Sequence, residues 1–130
     1  MTHQVILSLA SNQHQQQNLS KARRRLEEIL SNVRFTTECW TAPLGHHPSP
    51  DDYLNQLAAA QTELDEPTLT QRLKQTEQAL GRTPEARSQG IVPIDLDILS
   101  FDGQRRHPAD WQRPYVKQLV RELTEAPQPE

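Results

Sequence analysis

The chain is poor in cysteine, glycine and aromatic residues: one Cys, four Gly and 5% aromatic among 130 residues. A single thiol, Cys39, excludes an intramolecular disulfide framework and a multi-cysteine zinc site, which fits a reducing compartment. Few glycines against ten prolines imply stiff connections rather than flexible linkers. There is also no excess of basic charge. A formal net charge of −3 excludes a general field for nucleic acid or an anionic membrane, so an anionic ligand must meet a local basic cluster. No apolar run reaches bilayer length, and no basic flank precedes an apolar segment at the N-terminus, so the expectation is a soluble, cytoplasmic protein. At 34% hydrophobic, residues 1–130 read as one domain with a small, mostly aliphatic core.

The stretch "QVILSLASN" reads as a buried strand from about Gln4 to Leu9 that ends in a polar Ser11-Asn12 turn. Leu19, Ala22, Leu26, Ile29 and Leu30 then recur at helical spacing over about Gln15 to Asn32, while Lys21, Arg23, Arg24 and Arg25 decorate the outer face. "VRFTTECWT" (33–41) and "YLNQLAAAQTEL" (53–64) have strand composition, joined by the Pro/His-rich connection "APLGHHPSPDD". Asp65 or Glu66 starts a helix that Gly81 stops, with Pro67 in its first turn. "GRTPEARSQGIVP" reads as a polar loop, "IDLDILSF" as a strand, and "WQRPYVKQLVRELTEA" as a closing helix. The order β-α-β-β-α-β-α predicts an α+β fold: a ferredoxin-like antiparallel sheet with helices packed on one face and the opposite face open to a ligand.

In "IDLDIL", Asp95 and Asp97 share one face of a strand and Leu96 and Ile98 the other. Two like charges side by side repel unless a cation lies between them. Paired carboxylates holding Mg²⁺ against a substrate's phosphates are one answer; a half-exposed strand with an acidic polar face is another.

Taken together, "SN" after the first strand, "APLG" followed by "DYLNQ", "EQALGR", "IDLDIL" and "HPADWQRPYV" resemble, in order and largely in spacing, the 6-hydroxymethyl-7,8-dihydropterin pyrophosphokinases of folate synthesis. The resemblance spans most of the chain. It implies a ferredoxin-like fold and transfer of pyrophosphate from ATP to the hydroxymethyl group of a reduced pterin, giving AMP, with two Mg²⁺ ions. By the same resemblance Asp95 and Asp97 are the metal-binding and catalytic aspartates, with Arg82 beside them. Thr41, Pro43, Leu44, Tyr53, Asn55 and Tyr115 fall on the pterin side; Glu77, Ile98, His107 and Arg113 fall on the ATP side. The physical chemistry suits these roles. An amide such as Asn55 offers donors and an acceptor to a heterocycle's edge, Tyr115 offers a stacking surface, and Arg113 a fork for phosphate oxygens. By composition alone Tyr53 reads as a core strand aromatic, His107 as a surface histidine, and Glu77 and Arg82 as a solvated acid and arginine. The implied partners are ATP and a reduced pterin, with no nucleic acid, membrane or obligate protein partner.

The chain also departs from the family pattern. Gln89 stands where the lid tryptophan would lie, Val92 where an arginine beside ATP would lie, and Pro84 where a loop arginine would lie, which leaves Arg82 and Arg87 as the nearby cations. The connection from Phe101 to His107 is shortened and holds Arg105 and Arg106. Losing a cationic clamp removes transition-state charge stabilisation, and losing the lid aromatic weakens the exclusion of water. A catalytically impaired relative that binds a pterin or nucleotide as a regulatory or interaction module is therefore the alternative reading.

Overall fold

The computed structural model describes residues 1–43 and 51–124. Along the chain lie β1 (His3–Ser11), α1 (Gln15–Ile29), β2 (Ser31–Phe35), β3 (Cys39–Thr41), β4 (Tyr53–Thr62), α2 (Glu66–Ala79), α3 (Pro84–Ser88), β5 (Asp95–Phe101), β6 (Gln104–Arg105), α4 (Pro108–Trp111) and α5 (Pro114–Thr124). The strands form one antiparallel sheet in the order β2-β4-β1-β5-β6, with β3 also paired to β4. The long strands β1 and β4 carry the sheet because Val5, Leu7, Leu9, Leu54, Ala58 and Ala60 alternate toward one side. That side packs on Leu19, Ala22 and Leu26 of α1 and on Leu69 and Leu73 of α2, forming the main core. The fold is thus α+β, with an antiparallel sheet and its two long helices on one face, as expected.

The other face is shared. Leu57 and Leu99 point there and pack with Val116, Leu119 and Leu123 of α5 and with Trp111, a second, smaller core. The C-terminal helix therefore covers one end of the face and leaves the end that bears Asp95 and Asp97.

Several local outcomes differ from the sequence reading. The 33–41 segment is two strands, β2 and β3, because Thr36 interrupts the ladder: its N–H donates to Leu57 O and its Oγ1 accepts from Leu57 N. The expected loop after Gly81 contains α3, whose cap is Thr83, with Oγ1 accepting from Ala86 N at 3.1 Å, followed by Pro84 and Glu85. That triplet is a helix-start signal that the loop reading passed over. The short β5-β6 hairpin turns through Asp102 (φ 51°) and Gly103 (φ 81°), the Asp-Gly pair that suits a two-residue turn. The closing helix is split before Pro114, which begins α5 and disfavours helix in the residue before it. Among the described residues no helix is long and apolar enough to cross a membrane.

Candidate functional site

Strand register builds the floor of the site. Asn55 on β4 lies opposite Ala10 on β1, and Ala10 lies opposite Asp95 on β5; one step along, Ser8 lies opposite Asp97. Asn55 and Asp95 thus stand two strands apart, roughly 10 Å at the usual strand spacing, with small side chains between them. Larger residues at Ser8 and Ala10 would fill that gap. It is the floor of a cavity of about 210 Å³ walled by Ala42, Tyr53, Asn55, Asp110, Arg113 and Tyr115. Asp95 and Asp97 line this cavity and also a second, of about 620 Å³, between α2, α3, β5 and the Arg106-His107 turn. The two spaces meet at the aspartate pair.

Asp95 Oδ1 accepts from Arg82 Nη1 at 2.8 Å, and the same nitrogen donates to Glu77 Oε2 at 2.9 Å. Gly81, at φ +103°, closes α2 and turns the chain so that Arg82 falls back beside Glu77, where its amide bonds the Glu77 carbonyl at 3.1 Å. Glu77 Oε2 also accepts from Leu96 N at 2.8 Å, which ties the helix end to the aspartate strand. Burial alone would weaken the charge on Arg82, but the hydrogen bond and negative charge of Asp95 outweigh it, and the guanidinium holds its proton more tightly than usual. Glu77 is pushed up despite its ion pair, because burial outweighs the Leu96 amide and Arg82. Burial first, and then the neighbouring Asp95, push the Asp97 carboxyl up to about 6, with His107 opposing the rise. His107 Nε2 stands 4.0 Å from Asp97 Oδ1 on a left-handed residue, φ 55°.

The donor set fits Mg²⁺. Among the described residues no group of three or more His, Cys, Asp or Glu forms a closed metal cage. Two carboxylates on one strand face, open to a large cavity on one side and a small one on the other, are what a hydrated hard cation completed by substrate phosphates requires.

Most of the sequence-derived candidates converge here, divided between the two cavities. Glu77, Arg82, Ile98 and His107 line the large cavity, while Tyr53, Asn55 and Tyr115 line the small one. Arg113, expected beside ATP, lines the small cavity, with its guanidinium 4.6 Å from the Tyr115 ring centroid. Burial raises both tyrosine hydroxyls above their usual pKa, so Tyr53 and Tyr115 are neutral donors. Asn55 is buried, and its Nδ2 donates to Cys39 O at 2.9 Å and Thr41 Oγ1 at 2.8 Å. Two carbonyls, those of Cys39 and Tyr53, fix that orientation, so its donors organise the β3 wall rather than face the cavity. Thr41 acts through that bond; Pro43, two residues past β3, lines neither of these cavities, and Leu44 lies outside the described residues.

Other contributors were not legible in advance. Thr70, Lys74 and Gln78, at four-residue spacing on α2, and Arg106 line the large cavity; Ser8, Ala10 and Asp110 line the small one. The spacing along α2 was visible, but only the position of β5 shows what that face looks onto. Of the arginines in the shortened connection, Arg106 is forked onto Glu66 at 2.9 Å through both Nε and Nη2, and Arg105 stacks 4.2 Å from the Trp111 ring centroid. Asn12 proves to be more than a turn residue. Its Nδ2 donates to Gly90 O at 2.8 Å and its Oδ1 accepts from Val92 N at 2.6 Å, which pins the approach to the aspartate strand.

The fold and site define an α+β protein in which one carboxylate pair lines two adjoining cavities. The family of 7,8-dihydro-6-hydroxymethylpterin-pyrophosphokinases (HPPK) matches residues 6–125, and the chain belongs to it. No protein of curated function matches the chain. Among solved structures it is similar to the solution structure of the C-terminal domain of the MgtC protein from Mycobacterium tuberculosis, at 7% identity and a TM-score of 0.39 over 82% of this chain and 93% of that one, a likeness too slight to build on.

Proposed function

We propose that the chain transfers the pyrophosphoryl group of ATP to the hydroxymethyl oxygen of 6-hydroxymethyl-7,8-dihydropterin, releasing AMP, and that its sheet is the ferredoxin-like one, as the strand order around β1 suggests. The observation that carries this reading is the meeting of two unequal cavities at Asp95 and Asp97. The larger has room for a nucleotide, while the smaller, walled by Tyr53 and Tyr115, suits a flat heterocycle.

Each side chain then has a physical task. Asp95 and Asp97 would hold Mg²⁺, which supplies charge neutralisation at the transferring phosphates. Arg82 holds Asp95 in place, and His107 stands 4.0 Å from Asp97 at the junction. Glu77 fixes Arg82. Tyr115 would stack on the pterin with Arg113 behind it, and Asn55 would keep β3 at the spacing the heterocycle needs. No side chain is placed as a strong base, so rate would come mainly from alignment and charge stabilisation.

A second reading, a silent pterin or nucleotide binder, is favoured by the apolar Val92 and by its backbone bonds to Asn12, which hold the loop in place. One assay separates the two: AMP release from MgATP with and without the pterin, with Asp95→Ala/Asp97→Ala as control. Pterin-dependent AMP that vanishes in the control supports the kinase. A folded protein that releases none but binds the pterin by calorimetry is the silent relative.

A further inference from the structure

The cations that line the large cavity differ in what they already hold. Arg82 is spent between Glu77 and Asp95, and Arg106 is forked onto Glu66. Two other cations line the same space: Lys74 from α2 and Arg87 from α3. Both are exposed, and among the described residues neither makes an ion pair or side-chain hydrogen bond. They come from different elements and line the same cavity as Asp95 and Asp97.

We propose that Lys74 and Arg87 form a relocated cationic clamp for the polyphosphate chain of the nucleotide. It would restore from α2 and α3 the charge that the Val92 and Pro84 positions do not supply. The physical need is plain. A triphosphate together with two carboxylates carries more negative charge than one or two divalent ions neutralise, and Arg82 and Arg106 already satisfy protein carboxylates. An ammonium on a flexible stem and a guanidinium fork can follow the phosphates without a preformed cage. The 620 Å³ volume leaves room for the phosphates between them. The inference rests on the large cavity being the nucleotide side, and it names which residues of this chain hold the phosphates there.

The test compares wild type, Lys74→Ala/Arg87→Ala and Lys74→Arg by calorimetry with MgATP, adenosine and inorganic tripolyphosphate, alongside turnover with the pterin. Both side chains are exposed, so unchanged thermal melts are expected in all three proteins. The double variant should lose affinity for MgATP and tripolyphosphate by about tenfold or more, the loss expected for charge-assisted hydrogen bonds. Its affinity for adenosine should not change, its salt dependence of MgATP binding should be shallower, and Lys74→Arg should retain most of the affinity. Wild type that turns over the pterin while the double variant binds MgATP and tripolyphosphate as tightly, with the same salt slope, would overturn the clamp and leave the kinase standing. Wild type that binds tripolyphosphate through Lys74 and Arg87 but produces no AMP would keep the clamp and overturn the kinase. Equal losses for adenosine and MgATP would also overturn it, by showing a general disturbance of the cavity.

Discussion

Asn12 at the end of β1 and Val92 before β5 are joined twice: Asn12 Oδ1 accepts the Val92 amide at 2.6 Å, and the Asn12 amide donates to the Val92 carbonyl at 3.0 Å. With the bond from Asn12 Nδ2 to Gly90 O, one buried side chain sets the path by which the chain enters the aspartate strand. Asn12→Ala strands a backbone donor and acceptor that Asn12 now pairs. It should destabilise the fold by about 2 kcal/mol, the usual penalty for unpaired buried polar groups. Urea denaturation measures it, and a change within experimental error would show that the 90–92 segment is held by other contacts.

Asp97 makes stability pH-dependent in a definite direction. Its carboxyl is pushed up to about 6 from an ordinary value of 3.8, so the metal-free native state takes up this proton before the unfolded chain does. The associated stabilisation is fully present below about pH 4 and is lost as pH rises through 6. Asp97→Asn removes that dependence. The variant should melt like wild type near pH 4 and at a higher temperature near pH 7 in chelator; parallel melting curves across that range would refute the shift.

Removing the carboxylates should separate folding from activity. Asp97→Ala or Asp95→Ala is expected to keep the sheet, because both side chains point into open cavities rather than the core, and to lower Mg²⁺-dependent AMP formation by roughly 10²-fold or more. Circular dichroism checks the first expectation and a coupled AMP assay the second. Undiminished turnover would remove the metal from these residues.

Asn55→Ala cuts the bonds to Cys39 O and Thr41 Oγ1 and so loosens β3 along the small cavity. Pterin affinity should fall about tenfold or more, with MgATP affinity nearly unchanged, since the two ligands would occupy different sides of the aspartates. Calorimetry with each ligand decides, and equal losses would mean that the small cavity is not the pterin side.

Arg82→Ala leaves Glu77 half-buried without its cation and Asp95 without its anchor. Loss of turnover should therefore exceed loss of MgATP affinity, because the arginine positions the carboxylates more than it binds nucleotide. A steady-state comparison of kcat with KM tests this, with Arg82→Lys restoring charge but not the shared contact.

The long-range pattern of this protein is written in local periodicity. Alternation along 3–11 and 53–62, the three- and four-residue spacing of leucines on α1 and α2, and the Asp65 and Gly81 signals each act through neighbouring residues, so they were readable without the fold. Asp95 and Asp97 belong to the same class, because a strand puts alternate residues on one face whatever surrounds it. The resemblance to the family supplied the roles proposed for the remaining site residues.

Tertiary structure alone decided what those residues touch. Nothing local says that α5 buries Leu57 and Leu99 and stops short of Asp97, or that Arg113 lies with Tyr115 in the small cavity. Nor does it say that Arg106 is consumed by Glu66, 40 residues away, while Lys74 looks out over the aspartates. Which charge is paired and which is left to meet a ligand depends on distances between elements remote in sequence. The chain fixes those distances only when the whole sheet is assembled.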